Sequence, residues 1–178
     1  MFDTEISLVE ACRKGNRKAQ QALYDKYKSQ MLAITSRYAG CVAEAEDFML
    51  EGFFKVFKDI GQFAERQKLQ YWIRKIMINT CLMNLRKKGR IKFDQINGFE
   101  DLHAIDPMVL QQLDTDYILE QIQKLPTAYR IVFNLFAIEG FSHREIAIRL
   151  EIQESTSRSQ YLRARQMLQA YLSSSFVN

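Results

Sequence analysis

Apolar positions recur along this chain at three- and four-residue steps, and no stretch alternates residue by residue as a half-buried strand would. The expected fold class is therefore all-α. In the amino-terminal half, a helix from Ser7 to Lys14 stops at Gly15, and Asn16 caps a long helix running to Ala39, with Gly40 beyond it. A third helix spans about Ala43 to Asp59 and stops near Gly61, residues Gln62 to Gln67 form a loop, and a fourth helix covers roughly Lys68 to Lys88. This fourth helix, LQYWIRKIMINTCLMNLRKKGR, is apolar on two sides. Leu69, Trp72, Ile73, Ile76, Met77 and Thr80 make one side, and Tyr71, Ile78, Leu82 and Leu85 make much of the other. The rings of Tyr71 and Trp72 are expected in the core. Between the two sides runs a polar stripe, Lys75, Asn79 and Arg86, continued by Lys87, Lys88 and Arg90.

The carboxy-terminal pattern is more specific. Pro126 suits the first turn of a helix, where a missing N–H costs nothing. The apolar run Ala128 to Glu139 ends before Gly140, a natural left-handed stop. Ser142-His143-Arg144-Glu145 is a capping box that opens a short helix through Leu150. A tight turn at Glu151-Ile152-Gln153 leads into a longer helix from about Ser155 to Leu172. A short helix, a turn of three or four residues and a second helix form the DNA-binding helix-turn-helix unit. At about 100° per residue, Tyr161, Ala164, Leu168 and Leu172 of the second helix share one side. Arg158, Ser159, Leu162, Arg163 and Gln166 share the other, with Arg165 at the boundary. Arginines placed so reach phosphates or grip guanine bidentately, and an exposed leucine suits a thymine methyl.

Charge divides the chain further. Residues 1–90 hold 17 Lys+Arg against 10 Asp+Glu, residues 91–125 hold 2 against 7, and residues 126–178 hold 6 against 4. Two basic lobes joined by an acidic connector fit two contacts on a polyanion. The connector also carries the turn signals Asn97-Gly98 and Asp106-Pro107 and no sustained periodicity. The expected organisation is two small helical domains, 1–90 and 114–178, joined by a linker over 91–113, with the helix-turn-helix in the second. The cluster Arg86, Lys87, Lys88, Arg90 and Lys92 has no interleaved acid, which favours phosphate contact over a merely solvated helix end.

Composition excludes other classes. No apolar run approaches the ~18 residues of a membrane span, and the amino terminus lacks the layout of a signal peptide. Cys12, Cys41 and Cys81 are odd in number and widely spaced, with neither a disulfide framework nor a CxxC metal pattern, so a reducing cytoplasm is expected. His103 and His143 stand isolated. No phosphate loop, metal-ligand cluster or nucleophile–base spacing is present. Neither catalysis nor a cofactor, metal or small-molecule substrate is therefore expected.

The whole chain resembles bacterial sigma factors of the extracytoplasmic-function group, over about residues 7–90 and 114–172. AEAEDFMLEGFFKVFKDIGQF and YWIRKIMINTCLMNLRKKGR look like the family's polymerase-binding and −10-reading helices. LPTAYRIVFNLFAIEGFSHREIAIRLEIQESTSRSQYLRARQML looks like its −35-reading domain. The resemblance implies that Glu46, Asp47, Glu51, Phe54 and Phe57 dock on core RNA polymerase. It implies that Lys75, Asn79, Arg86, Lys87 and Lys88, with the loop Gln62 to Gln67, meet the −10 element of promoter DNA, the loop holding a flipped base. Arg158, Ser159, Leu162, Arg163 and Arg165 would lie in the −35 major groove, and an anti-sigma factor is the implied inhibitor. Leu50 stands where the family usually has glutamine, and Met83 where an acid or amide is common. Ser157 replaces a usual valine and is expected to loosen the recognition helix slightly. The alternative is a helix-turn-helix regulator that binds promoter duplex alone, its first lobe sensing a ligand or dimerising. Such a protein would gain nothing from core polymerase.

Overall fold

The computed structural model describes residues 4–64, 68–89, 91 and 115–174. Among them lie eight α-helices and no strand: α1 Glu5–Arg13, α2 Arg17–Tyr38, α3 Val42–Asp59, α4 Leu69–Lys87, α5 Thr115–Lys124, α6 Thr127–Phe133, α7 His143–Leu150 and α8 Glu154–Ser174. The chain divides into two compact units, Met1–Lys87 and Lys88–Asn178.

In the first unit, α2, α3 and α4 pack on one another and α1 lies against α2. Helix α1 begins earlier than its apolar pattern suggests because Thr4 caps it. The Ser7 amide donates to Thr4 Oγ1 at 3.1 Å and the Thr4 amide to Ser7 Oγ at 3.2 Å. Asn16 caps α2 through Oδ1, which accepts from the amides of Lys18 and Ala19 at 3.0 and 3.1 Å. Helix α3 has no side-chain cap at Cys41, but the Glu44 carboxylate accepts from the Gly40 amide at 2.6 Å. The core is built from Leu23, Tyr27, Met31 and Tyr38 of α2, Phe48, Phe53 and Val56 of α3, and Leu69, Ile73, Met77, Cys81 and Leu85 of α4. Both apolar sides of α4 are buried at Ile78, Leu82 and Leu85 as well as at Ile73 and Met77. Tyr71 is an exception to the expectation: it lies on the first turn of α4 and is 60% exposed, with Lys68 Nζ 5.8 Å from its ring centre.

The second unit packs α8 against α6, α7 and α5. Ile122, Leu125, Ala164 and Leu168 form a core cluster with Ile118, Tyr129, Phe133 and Met167 against it. Pro126 serves as the N-cap of α6, extended at ψ 144°, rather than as a residue of its first turn. Arg130 is buried and closes the α5–α6 corner, donating to the backbone oxygen of Gln123 at 2.9 Å and to its Oε1 at 3.0 Å. The apolar run after α6 continues as a π-helix, Asn134–Ile138, in which the Glu139 amide reaches back to the Asn134 oxygen at 2.9 Å. Gly140 is left-handed at φ +77°.

Candidate nucleic-acid interface

The capping box at the start of α7 is complete. The Ser142 amide donates to Glu145 Oε2 at 2.8 Å, and the Glu145 amide donates to Ser142 Oγ at 3.3 Å. The Ser142 amide, and after it the Ser142 hydroxyl, which donates to Glu145 Oε2 at 2.7 Å, hold the Glu145 carboxyl below its ordinary range. The turn between α7 and α8 pivots on Glu151, which is left-handed at φ 58° although it is not glycine. Its amide donates to the Ala147 oxygen. A residue with a Cβ is strained in that region, so the corner is held by the helices on either side.

Helix α8 buries Ser157, Gln160, Ala164, Leu168 and Leu172 and turns its basic face outward. Arg158 and Arg163 are exposed, and Ser159, Leu162 and Arg165 are half-buried. Arg158 pairs with Glu154 one turn earlier. Ser159 Oγ donates to the Thr156 oxygen at 3.0 Å. Arg165 lies over the Tyr161 ring, 5.9 Å from its centre. Tyr161 in turn packs on Phe133 and Phe136, with ring centres at 5.9 and 4.5 Å. The His143 ring stacks on Phe136 at 4.2 Å, and its Nδ1 lies 2.9 Å from Ser157 Oγ. Ser157 is fully buried, and this hydrogen bond ties it to the first residue of α7.

In the first unit, Lys75, Asn79, Arg86, Lys87 and Lys88 are all exposed along one side of α4 and its end. A polar seam joins α3 to α4 beside them. Lys55 Nζ lies 2.9 Å from Glu51 Oε1 and 3.3 Å from Thr80 Oγ1, and Asn84 donates to Glu51 at 2.6 Å. Burial pulls the Glu51 carboxyl upward, but the bonds from Lys55 and Asn84 outweigh it and hold it low. Met83, half-buried, touches Lys55 through sulfur at 3.9 Å. The loop after α3 opens with a 3₁₀ turn, Ile60–Gln62, and Phe63, whose ring meets Trp72 edge-on at 5.5 Å. Arg13 of α1 clasps this entry, donating to the oxygens of Ile60 at 3.4 Å and Phe63 at 2.6 Å. Residues 65–67 of that loop, and Arg90 and Lys92 of the basic cluster, lie outside the described residues.

Another face of α3 is apolar and acidic. Phe54 is 69% and Leu50 54% exposed, beside exposed Glu46 and Asp47. Phe57 is half-buried against Phe53, ring centres 6.1 Å apart. Leu50 and Glu46 also line a groove of about 440 Å³ with Tyr24, Lys28, Leu32 and Met49. Among the described residues no three His, Cys, Asp or Glu side chains gather to hold a metal ion. No described helix is long and apolar enough to cross a membrane.

Fold and faces define a class: a two-unit, all-α protein with a basic helix-turn-helix in its second unit and a cationic helix stripe in its first. The sigma-70 region 2 model matches residues 23–91 and the sigma-70 region 4 model matches residues 115–168. The chain belongs to the sigma-70 family, in its extracytoplasmic-function group. It is 28% identical to the RNA polymerase sigma-H factor of Pseudomonas aeruginosa, over 93% of this chain and 92% of that protein. It is 24% identical to the ECF RNA polymerase sigma-E factor of Escherichia coli K12, over the same shares. The fold is that of the sigma factor RpoE solved with the anti-sigma factor NepR from Bartonella quintana (TM-score 0.54, 24% identity, 86% of this chain and 96% of that one). It is also that of CnrH solved with the cytosolic domain of CnrY (TM-score 0.50, 20% identity, 94% and 96%). Two sigma regions on one chain make this a promoter-specificity factor of RNA polymerase rather than a regulator acting alone.

Proposed function

We propose that the two units divide promoter recognition between them. The exposed side of α3, through Glu46, Asp47, Phe54 and Phe57, docks on core RNA polymerase; its mix of acids and large apolar groups suits a protein surface better than DNA. Glu51 supports that face from the seam, where it is tied to Lys55 and Asn84. Lys75, Asn79, Arg86, Lys87 and Lys88 track the strands of the −10 element, and Arg158, Ser159, Leu162, Arg163 and Arg165 enter the −35 major groove. Opening of the promoter requires no bond chemistry from this chain, only tighter binding to melted than to duplex DNA. Action without catalysis, in the cytoplasm, follows from this reading. By likeness to RpoE, solved with the anti-sigma factor NepR, an anti-sigma factor is the expected inhibitor.

The observation that carries the reading is the pairing, on one chain, of an exposed cationic stripe on α4 with a basic recognition helix behind a capped turn. Run-off transcription from genomic fragments with core polymerase, with and without this protein, tests it. Promoter-specific transcripts are expected only with the protein; their absence from every template sinks the proposal. Arg158→Ala and Arg163→Ala are each expected to cost about 1–3 kcal/mol of −35 discrimination while leaving co-elution with core polymerase intact. Loss of co-elution in these variants would show that the roles have been misassigned.

A further inference from the structure

We propose that the hydrogen bond between His143 and Ser157 is the positioning element of the recognition helix, setting the rotation at which α8 presents Arg158 and Ser159 to DNA. The inference rests on the −35 reading of the second unit.

Ser157 is fully buried, and its hydroxyl lies 2.9 Å from His143 Nδ1. A buried hydroxyl without a partner carries the full cost of its lost hydration, so the partner determines where that point of the helix rests. The partner itself has little freedom. His143 is the first residue of α7, and its ring lies nearly parallel to Phe136, 12° from it at 4.2 Å. It also tilts against Tyr161 at 5.7 Å. One imidazole therefore touches the π-helix, begins α7 and bonds α8. Its face is fixed by Phe136 and its edge by Ser157.

The consequence is geometric. Ser157 directly precedes Arg158 and Ser159, so what fixes Ser157 fixes the first turn of the reading face. Side-chain tips lie roughly 5–6 Å from a helix axis, so a rotation of about 20° moves them by about 2 Å. Hydrogen bonds to base edges tolerate only a few tenths of an ångström around their preferred length. An apolar residue at 157 would be held by packing alone, whereas the hydroxyl adds a directional bond to the ring of α7. Neither residue need touch DNA for this effect; both act through Arg158 and Ser159.

The test uses holoenzyme made from the full chain and core polymerase. Its template is a genomic promoter fragment that the wild type transcribes, compared with the same fragment scrambled over its −35 base pairs. The measured quantity is the ratio of transcripts from intact and scrambled templates. His143→Leu, which orphans the buried hydroxyl, is expected to lower that ratio at least fivefold and to leave the scrambled-template transcript within twofold of wild type. The double variant His143→Leu with Ser157→Val, which removes both polar partners and leaves no hydrogen bond between α7 and α8 at this point, is expected to stay at least fivefold below wild type. His143→Asn, which keeps a polar group near the Nδ1 position, is expected to retain the ratio. The rescue by His143→Asn separates positioning from a general loss of fold, which would depress both templates together. An unchanged ratio in His143→Leu overturns the inference, and so does a double variant that recovers the wild-type ratio without the bond. A wild-type holoenzyme indifferent to the −35 scramble overturns the promoter reading itself, and this inference with it.

Discussion

Single atoms decide the closest packing in the first unit. Gly52 sits where α3 meets α4, and a Cβ built on it would overlap the sulfur of Met77. Met77 is itself fully buried, so its side chain has nowhere to move without displacing a neighbour. Gly52→Ala is expected to destabilise the protein by about 1–3 kcal/mol in chemical denaturation. Adding Met77→Val should return part of that loss; a neutral Gly52→Ala would contradict the close approach. At the other end of the chain, burial disfavours the charged form of His143 and the Arg158 charge repels a proton, while Glu154 partly offsets both. Its pKa in the folded protein therefore lies below the ordinary value of 6.5. The unfolded chain takes up this proton first, so the contribution is intact above that value and is lost as pH falls through it toward the folded pKa. Thermal unfolding of the wild type between pH 7 and 5 should show this loss, and His143→Asn should flatten that part of the profile. An unchanged slope in the variant would remove His143 as its source.

At the scale of elements, caps and corners matter more than helix propensity. Ser142 satisfies an otherwise orphaned amide at the start of α7, a helix of only eight residues, which cannot sustain itself by propagation. Ser142→Ala is expected to cost about 0.5–2 kcal/mol, read as a lower melting temperature of the second unit. A change within error would mean that the turn is held by packing alone. The cap was legible in the sequence because S-x-x-E is a local signal, and so was Asn16. Helix α5 was not read from the pattern, although Ile118, Ile122 and Leu125 follow a helical step. Its ten residues fall inside the expected second domain, 114–178, but they carry no cap or stop signal of their own, and Pro126 marks only the helix that follows. The π-helix left no trace at all, since a shift from four- to five-residue hydrogen bonding alters backbone registry without changing which residues are apolar. Exposure of Tyr71 was hidden for another reason. A helix apolar on two sides does not reveal how far its neighbours extend. The outward faces of α4 and α8 emerged where periodicity put them, whereas the contacts of His143 and Arg13 join residues 14 and about 50 positions apart and have no local signature.

For the molecule as a whole, the separation of two cores is the governing feature. Residues 4–87 bury their own aromatic and aliphatic interior, and the helices from Thr115 onward bury another. Each unit carries a different half of the proposed grip, so damage to one core is expected to leave the other folded. The consequence is genetic. A chain whose recognition unit is unfolded by, for example, Leu168→Asp in its core would still present Phe54 and its neighbours to polymerase. It would occupy the enzyme without delivering it to a promoter. Such an allele is expected to be dominant: expressed beside the wild type, it should depress a reporter from the wild-type promoter in proportion to its excess. The same lesion combined with Phe54→Glu should become recessive. A single-core protein could not show this behaviour, because any lesion severe enough to abolish reading would also remove the competitor.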